Sequence, residues 1–224
     1  MRNHAAILLV LTALLIPSVS ALAADDGGAA PPVPLRGLQF VTVYGGAQDH
    51  AVTSVSTSPS GTETRTSGAA GYLAYRYWFA EEWAIGVTGG VLDAKTYTST
   101  QLNEVVSRSA VMVPALLELR YAPRAIALGT NGRPFLSIGG GAYMGAAKNS
   151  VVGVSSATDI AINETKVGGR AQAGVQWMFG TRFHAEVAGG YHVVDRFSQQ
   201  IGNGTKFSGF EFLAGVGLHW GGAH

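Results

Sequence analysis

From Leu38 onward, apolar side chains recur at every second position, the period of a strand with one face in an apolar medium. In Phe207–Trp220, Phe210, Phe212, Ala214, Val216, Leu218 and Trp220 oppose Gly209, Glu211, Gly215, Gly217 and His219. In Phe183–Val194, Phe183, Ala185, Val187, Tyr191 and Val193 oppose His184, Glu186, Gly190 and His192. Val167–Phe179 and Val105–Tyr121 repeat the split, with Arg170, Gln172 and Gln176 in the first and Arg108, Glu118 and Arg120 in the second on the polar side. Weaker alternation marks Phe135–Ala146, Trp83–Ala94, Ala69–Phe79 and Leu38–Ala47. The pattern predicts an all-β chain of eight strands.

The connections alternate in length. Ala80–Glu82 and Gly180–Arg182 are tight turns, and Ala122–Pro134 carries the turn signal Asn131-Gly132. Val52–Gly68, Lys95–Glu104, Lys148–Lys166 and Arg196–Lys206 read as long polar loops, with Arg65, Lys148 and Lys166 as exposed trypsin sites. Ten of the fifteen residues Thr53–Ser67 are Ser or Thr. Short turns at one end and long loops at the other are the plan of an antiparallel transmembrane up-and-down β-barrel, as are an even strand number and about ten residues per strand.

Alternation alone leaves open which face points outward, because a soluble barrel puts its apolar face inside. Two features decide for lipid. The polar face is also the glycine-rich one, which suits the narrow bore of an eight-stranded barrel; on this reading Val187→Arg impairs assembly more than Gly190→Ser, which changes an inward position. Tyr77, Phe79, Trp83, Tyr121, Trp177, Phe179, Phe183 and Trp220 all fall beside the short turns or the final strand end, as one interfacial girdle of aromatic rings.

Composition narrows the function. Charged residues are 13% of the 224, about half the usual share of roughly 25%. Cysteine is absent, which excludes thiol chemistry and disulfides. Arg2 and His4 precede the apolar run Ala5–Pro17, and Ala21-Leu22-Ala23 fits a small-x-small cleavage site. Residues 1–23 are therefore expected to be a signal peptide, 24–34 a flexible leader and 35–224 the barrel. Loss of residues 1–23 removes Arg2 and no acid, so 15 basic and 14 acidic residues become 14 and 14. A neutral exported chain is not a nucleic-acid binder.

The segments Val113-Pro114-Ala115-Leu116-Leu117-Glu118-Leu119-Arg120-Tyr121, Gly139-Gly140-Gly141-Ala142-Tyr143, Gly174–Phe179 and Phe210–Trp220 resemble the small OmpA/OmpX-like outer-membrane β-barrel family. The resemblance implies export to a Gram-negative cell outer membrane and insertion by the β-barrel assembly machinery. It implies contact with outer-membrane lipid and lipopolysaccharide, and a monomer. Members are structural proteins, adhesins, small channels or, less often, lipid-modifying enzymes.

The inward positions carry Arg76, Arg108, Glu118, Arg120, Arg170, Glu186 and Glu211, with His184, His192 and His219. Buried charges are paired, so an ion-pair lattice filling the bore is expected. The alternative is a narrow, porin-like ion path. His184, Glu186 and His192 lie too far apart along one strand for a metal shell, and no cofactor is implied. A lipid A hydrolase reading needs a serine beside a base. His192-Val193-Val194 lacks one, and Ser198 and Glu211 do not stand at matching positions. No catalytic residue is assigned. The expected function is structural or surface-interactive, with a loop partner the sequence does not name. Pro114, which lacks a ladder donor, is expected to mark a β-bulge.

Overall fold

The computed structural model describes residues 33–52, 64–101, 104–153, 157–199, 201 and 205–222. Side chains of 50–67, 93–110 and 149–160 lie outside that description, as do the expected signal peptide, most of the leader and the side chain of Arg108. The strands are β1 (Leu38–Val52), β2 (Thr64–Trp78), β3 (Trp83–Gln101), β4 (Glu104–Tyr121), β5 (Gly132–Gly153), β6 (Ala157–Phe179), β7 (Phe183–Val194) and β8 (Gly209–Gly221). Each pairs antiparallel with its neighbour in sequence, and β1 pairs with β8, from Leu38↔Gly221 to His50↔Gly209. The eight-stranded up-and-down barrel is thus closed.

Parity sorts the two faces. Val216, Ile138 and Leu117 are 67%, 63% and 58% exposed, whereas Arg76, Glu186 and Glu211 are 1%, 1% and 4% exposed. A belt of outward aliphatics on all eight strands far exceeds the apolar patches that soluble monomers show. The arrangement is that of a membrane barrel. The aromatic row lies on the same outer face: Phe179 stands opposite Phe183, and the Trp83 and Tyr121 rings lie 4.7 Å apart.

Three expectations are corrected. Lys95–Glu104 and Lys148–Lys166 are mostly strand, because β3, β4, β5 and β6 run on past the membrane to Gln101, Glu104, Gly153 and Ala157. About 9–11 tilted residues cross the hydrocarbon core, so β5 and β6, with 22 and 23 residues, extend well beyond it. Lys148 and Lys166 consequently sit in a ladder rather than in a loop. Second, register runs unbroken through Pro114: Gly89↔Ala115 and Leu92↔Met112 belong to one register, and the irregularity falls at Ala94/Tyr97. The ladder simply goes without the missing N–H. Third, Gly190 is not an innocuous inward site for a side chain, because the narrow bore leaves its glycines no room. A Cβ on Gly190 would come within 2.7 Å of the Ala171 carbonyl oxygen, and one on Gly141 within 2.1 Å of that of Ala115. In the β4–β5 turn the left-handed residue is Gly129 (φ 67), while Gly132 of the Asn131-Gly132 pair already belongs to β5.

Candidate functional site

The bore contains a charged middle between two apolar ends. Arg76 of β2, Glu118 and Arg120 of β4, Arg170 of β6, Glu186 of β7 and Glu211 of β8 all point into it and are buried. Glu186 accepts from Arg120 Nη1 (2.8 Å), Arg76 Nη1 (3.3 Å) and the Tyr44 hydroxyl. Glu118 accepts from Arg170 and from Thr88 Oγ1 (2.8 Å). Arg76 Nη2 lies 3.9 Å from Glu118, and Arg170 Nη1 lies 3.8 Å from Glu211. The charges therefore alternate in one chain: Arg120, Glu186, Arg76, Glu118, Arg170, Glu211. Three guanidinium groups meet three carboxylates.

The chain ends at His192. Its Nε2 is 2.6 Å from Glu211 Oε2 and its Nδ1 2.6 Å from the Tyr143 hydroxyl. With Glu211 as an acceptor, Nε2 carries the proton and Nδ1 accepts from Tyr143. Tyr72 also donates to Glu211 (3.1 Å), as does Gln172 Nε2 (2.6 Å). Aromatic faces support the cations, with the Arg120 guanidinium carbon 3.6 Å from the Phe135 ring centroid and that of Arg170 4.9 Å from Tyr72. His184 pairs with Thr42 Oγ1 (2.8 Å) and lies in the Phe40–His219 aromatic cluster. His184 and His192 thus serve different partners, and among the described residues no group of three or more ligating side chains is assembled for a metal.

Gln172 and Gln176, read from the sequence as polar-face residues, belong to this network, as do Tyr44, Tyr72, Tyr143, Thr42 and Thr88, which were not assigned to the bore from the sequence. Their signal was parity, since each occupies an inward position. No Ser–His arrangement is formed among the described residues. Ser198 Oγ accepts from Lys166 Nζ (3.3 Å), whereas Glu211 and Tyr143 occupy the two ring nitrogens of His192.

Apolar side chains among the described residues gather at both ends of the bore. At the short-turn end the segment before β1 crosses the opening. Leu35 is fully buried, and its N–H donates to the Glu81 carboxylate (3.2 Å). Arg133 holds Glu81 (2.9 Å) and the Val33 carbonyl oxygen (2.5 Å). Beneath this clasp Leu38, Phe40, Trp78, Phe135 and Met178 form an apolar layer. Partial burial would raise the pKa of Glu81, but the hydrogen bonds from Arg133 and Leu35 outweigh it and hold the carboxyl below its ordinary value.

At the loop end the β7–β8 connection folds into the mouth. Phe197, Ile201 and Phe207 pack on Met112, Tyr143 and Leu213. Phe197 and Ile201 occupy the space a side chain at Gly145 would take, at 2.9 and 3.1 Å. Glu164, on β6 above the membrane, latches this loop by accepting from the amides of Ser198 (2.9 Å) and Gln199 (3.1 Å) and pairing with Lys166 (2.8 Å). The Lys166 contact first, then these amides, lower its pKa to about 2. A carboxylate whose folded pKa is depressed stabilises fully above its unfolded pKa, about 4.3. That support is lost as pH falls through about 2. Glu164→Gln should therefore speed tryptic cleavage at the exposed Arg196 and Lys206 at neutral pH. In the wild type, exchange of the Ser198 and Gln199 amides should rise only below about pH 4. Equal cleavage of both proteins would show that the latch holds nothing.

The sequence matches no family model, and no curated protein matches it. Solved structures do. Ail, the attachment invasion locus protein of Yersinia pestis, solved with the heparin analogue sucrose octasulfate, superposes with TM-score 0.50 at 11% identity, covering 83% of this chain and 99% of its own. The chain has the fold of a small outer-membrane β-barrel. At that identity the likeness is one of fold. OprG from Pseudomonas aeruginosa gives TM-score 0.47 at 12% identity, with 84% and 97% covered. Neisserial surface protein A gives 0.45 at 13%, with 81% and 96% covered.

Proposed function

We propose that this barrel resides in a Gram-negative outer membrane as a structural and surface-interaction protein with a sealed, non-conducting bore. The observation that carries the reading is the double closure. A neutral ion-pair chain fills the middle, the Val33–Leu35 clasp covers one end, and the β7–β8 loop stops the other. A channel needs a continuous polar path, and here apolar layers lie above and below the charges. The function then rests with what projects from the loop end, above all the β3–β4 and β5–β6 hairpins. The shape of the outer belt supports contact with lipid and, on the outer leaflet, with lipopolysaccharide.

The reading is tested by fractionation and conductance together. The mature chain should begin near Ala24 and be recovered with outer membranes. In a planar bilayer it should give no large steady conductance, and expressing cells should show unchanged lipid A masses. A large steady conductance would favour the narrow-channel reading instead. Release into the soluble periplasmic fraction without detergent would rule out the membrane assignment.

A further inference from the structure

The last residues of β8 run between the starts of two other strands. The His219 amide donates to the Arg182 carbonyl oxygen (2.7 Å), and the Gly222 amide to that of Gly37 (3.3 Å). Arg182 and Arg36 therefore emerge on either side of the end of β8. With strands about 4.8 Å apart, their backbones stand roughly 10 Å from each other. Both are exposed, and neither guanidinium has an acidic partner among the described residues. Glu81 is the acid that approaches nearest in backbone terms, and it is engaged by Arg133 and by the amides of Leu35 and Arg36.

Between the two arginines lies the lipid-facing end of the barrel wall. Trp220 is outward-facing and 45% exposed, and Leu218 and Phe183 stand beside it. Directly opposite Trp220 is Gln39, a polar side chain in an otherwise apolar and aromatic row. Its amide oxygen accepts from the Tyr75 hydroxyl (2.9 Å), which leaves its N–H donors unused. Two cations with no acidic partner among the described residues, an amide donor and an indole thus sit at the level of the aromatic girdle, over an apolar wall.

We propose that this surface binds an anionic glycerophospholipid of the periplasmic leaflet. The inference rests on the outer-membrane reading above. Its phosphodiester matches the two guanidinium groups, whose planar forks suit paired oxygens. Gln39 and the Trp220 indole supply N–H donors to the ester carbonyls just below, and the acyl chains lie along Leu218, Val216 and Phe183. On the β2–β3 and β4–β5 turns, by contrast, Glu81 pairs with Arg133 and Glu82 accepts from the Arg124 amide (2.8 Å), so two acids stand with the two cations there.

The test uses the full-length barrel purified in detergent, with native mass spectrometry after addition of dioleoylphosphatidylglycerol or dioleoylphosphatidylcholine. Wild type should retain phosphatidylglycerol preferentially. The double variant Arg36→Gln/Arg182→Gln should lose that preference, by on the order of ten-fold or more in apparent affinity for two arginines near an anionic group. Gln39→Leu should weaken retention while keeping the headgroup preference. Excess glycerol 3-phosphate should not displace the lipid; displacement would identify a headgroup-only site and overturn the proposal. Equal retention of both lipids by wild type, or undiminished retention by a double variant that still shows the heat-modifiable folded band, would also overturn it. Failure of the wild type to fold into vesicles at all would instead remove the membrane-barrel reading, and this proposal with it.

Discussion

Glu186→Ala is expected to be the most damaging single change in the bore. Its carboxylate is shared by Arg76, Arg120 and Tyr44. Once it is gone, Arg76 retains a contact with Glu118 at 3.9 Å, but Arg120 is left with only neutral partners, the Gln176 amide oxygen and the Tyr44 hydroxyl, each at 3.4 Å, and the face of Phe135. Stranding a buried cation costs about 3–5 kcal/mol. The urea midpoint for unfolding from vesicles should fall accordingly. Glu211→Ala should cost less, since Arg170 keeps its bond to Glu118 and His192 keeps Tyr143. The double variant Glu186→Leu/Arg120→Met should recover part of the loss, because replacing a whole buried pair by apolar groups is often close to neutral. An unchanged midpoint for both single variants would mean that water, rather than partner charge, holds these groups.

The second large effect lies on the other face. Val187 points to lipid from the middle of β7, opposite Val175 on one side and Ala214 on the other. Arginine at the bilayer midplane costs about 2–4 kcal/mol. Val187→Arg should therefore depress the yield of heat-modifiable folded protein. The appropriate control is Gly189→Ala, two residues away on the same outer face, where an added Cβ would meet nothing closer than the Glu211 carbonyl oxygen at 3.9 Å. Gly190→Ser is not a mild control. Its Cβ would press on the Ala171 carbonyl oxygen and the Gln172 side chain, both at 2.7 Å. If Val187→Arg folds as well as Gly189→Ala, the outer face has been assigned to the wrong parity.

The faces were legible in the sequence because a period of two survives any choice of strand ends. Val216 and Glu211 declare opposite sides wherever β8 begins. The strand ends were not legible. Past the membrane, the consecutive polar residues Glu164, Thr165 and Lys166 put polar side chains on both faces of β6 and give no contrast to read. Ion-pair partners were hidden for another reason. Arg120 meets Glu186 across the bore, from β4 to β7, and that meeting depends on the accumulated register of every strand between them. The clasp was missed because Val33 and Pro34 belong to a Pro- and Ala-rich stretch with no alternation. Its partners, Glu81 and Arg133, were read as part of turns.

The closing pair β1–β8 also governs how the barrel can assemble. Every other pairing joins neighbours in sequence, but Leu38 must find Gly221 across nearly the whole chain. Ordering that distance costs entropy that grows only slowly, as about (3/2)RT ln n. Leaving it undone is far worse in lipid, where each unsatisfied backbone group costs several kcal/mol and two bare edges would face hydrocarbon at once. Partly paired sheets are therefore poor membrane intermediates, and insertion should be cooperative with the zipping of the first strand to the last. A chain truncated before Gly209 would be expected to accumulate outside the bilayer, exposed to proteolysis, rather than to insert as a seven-stranded remnant.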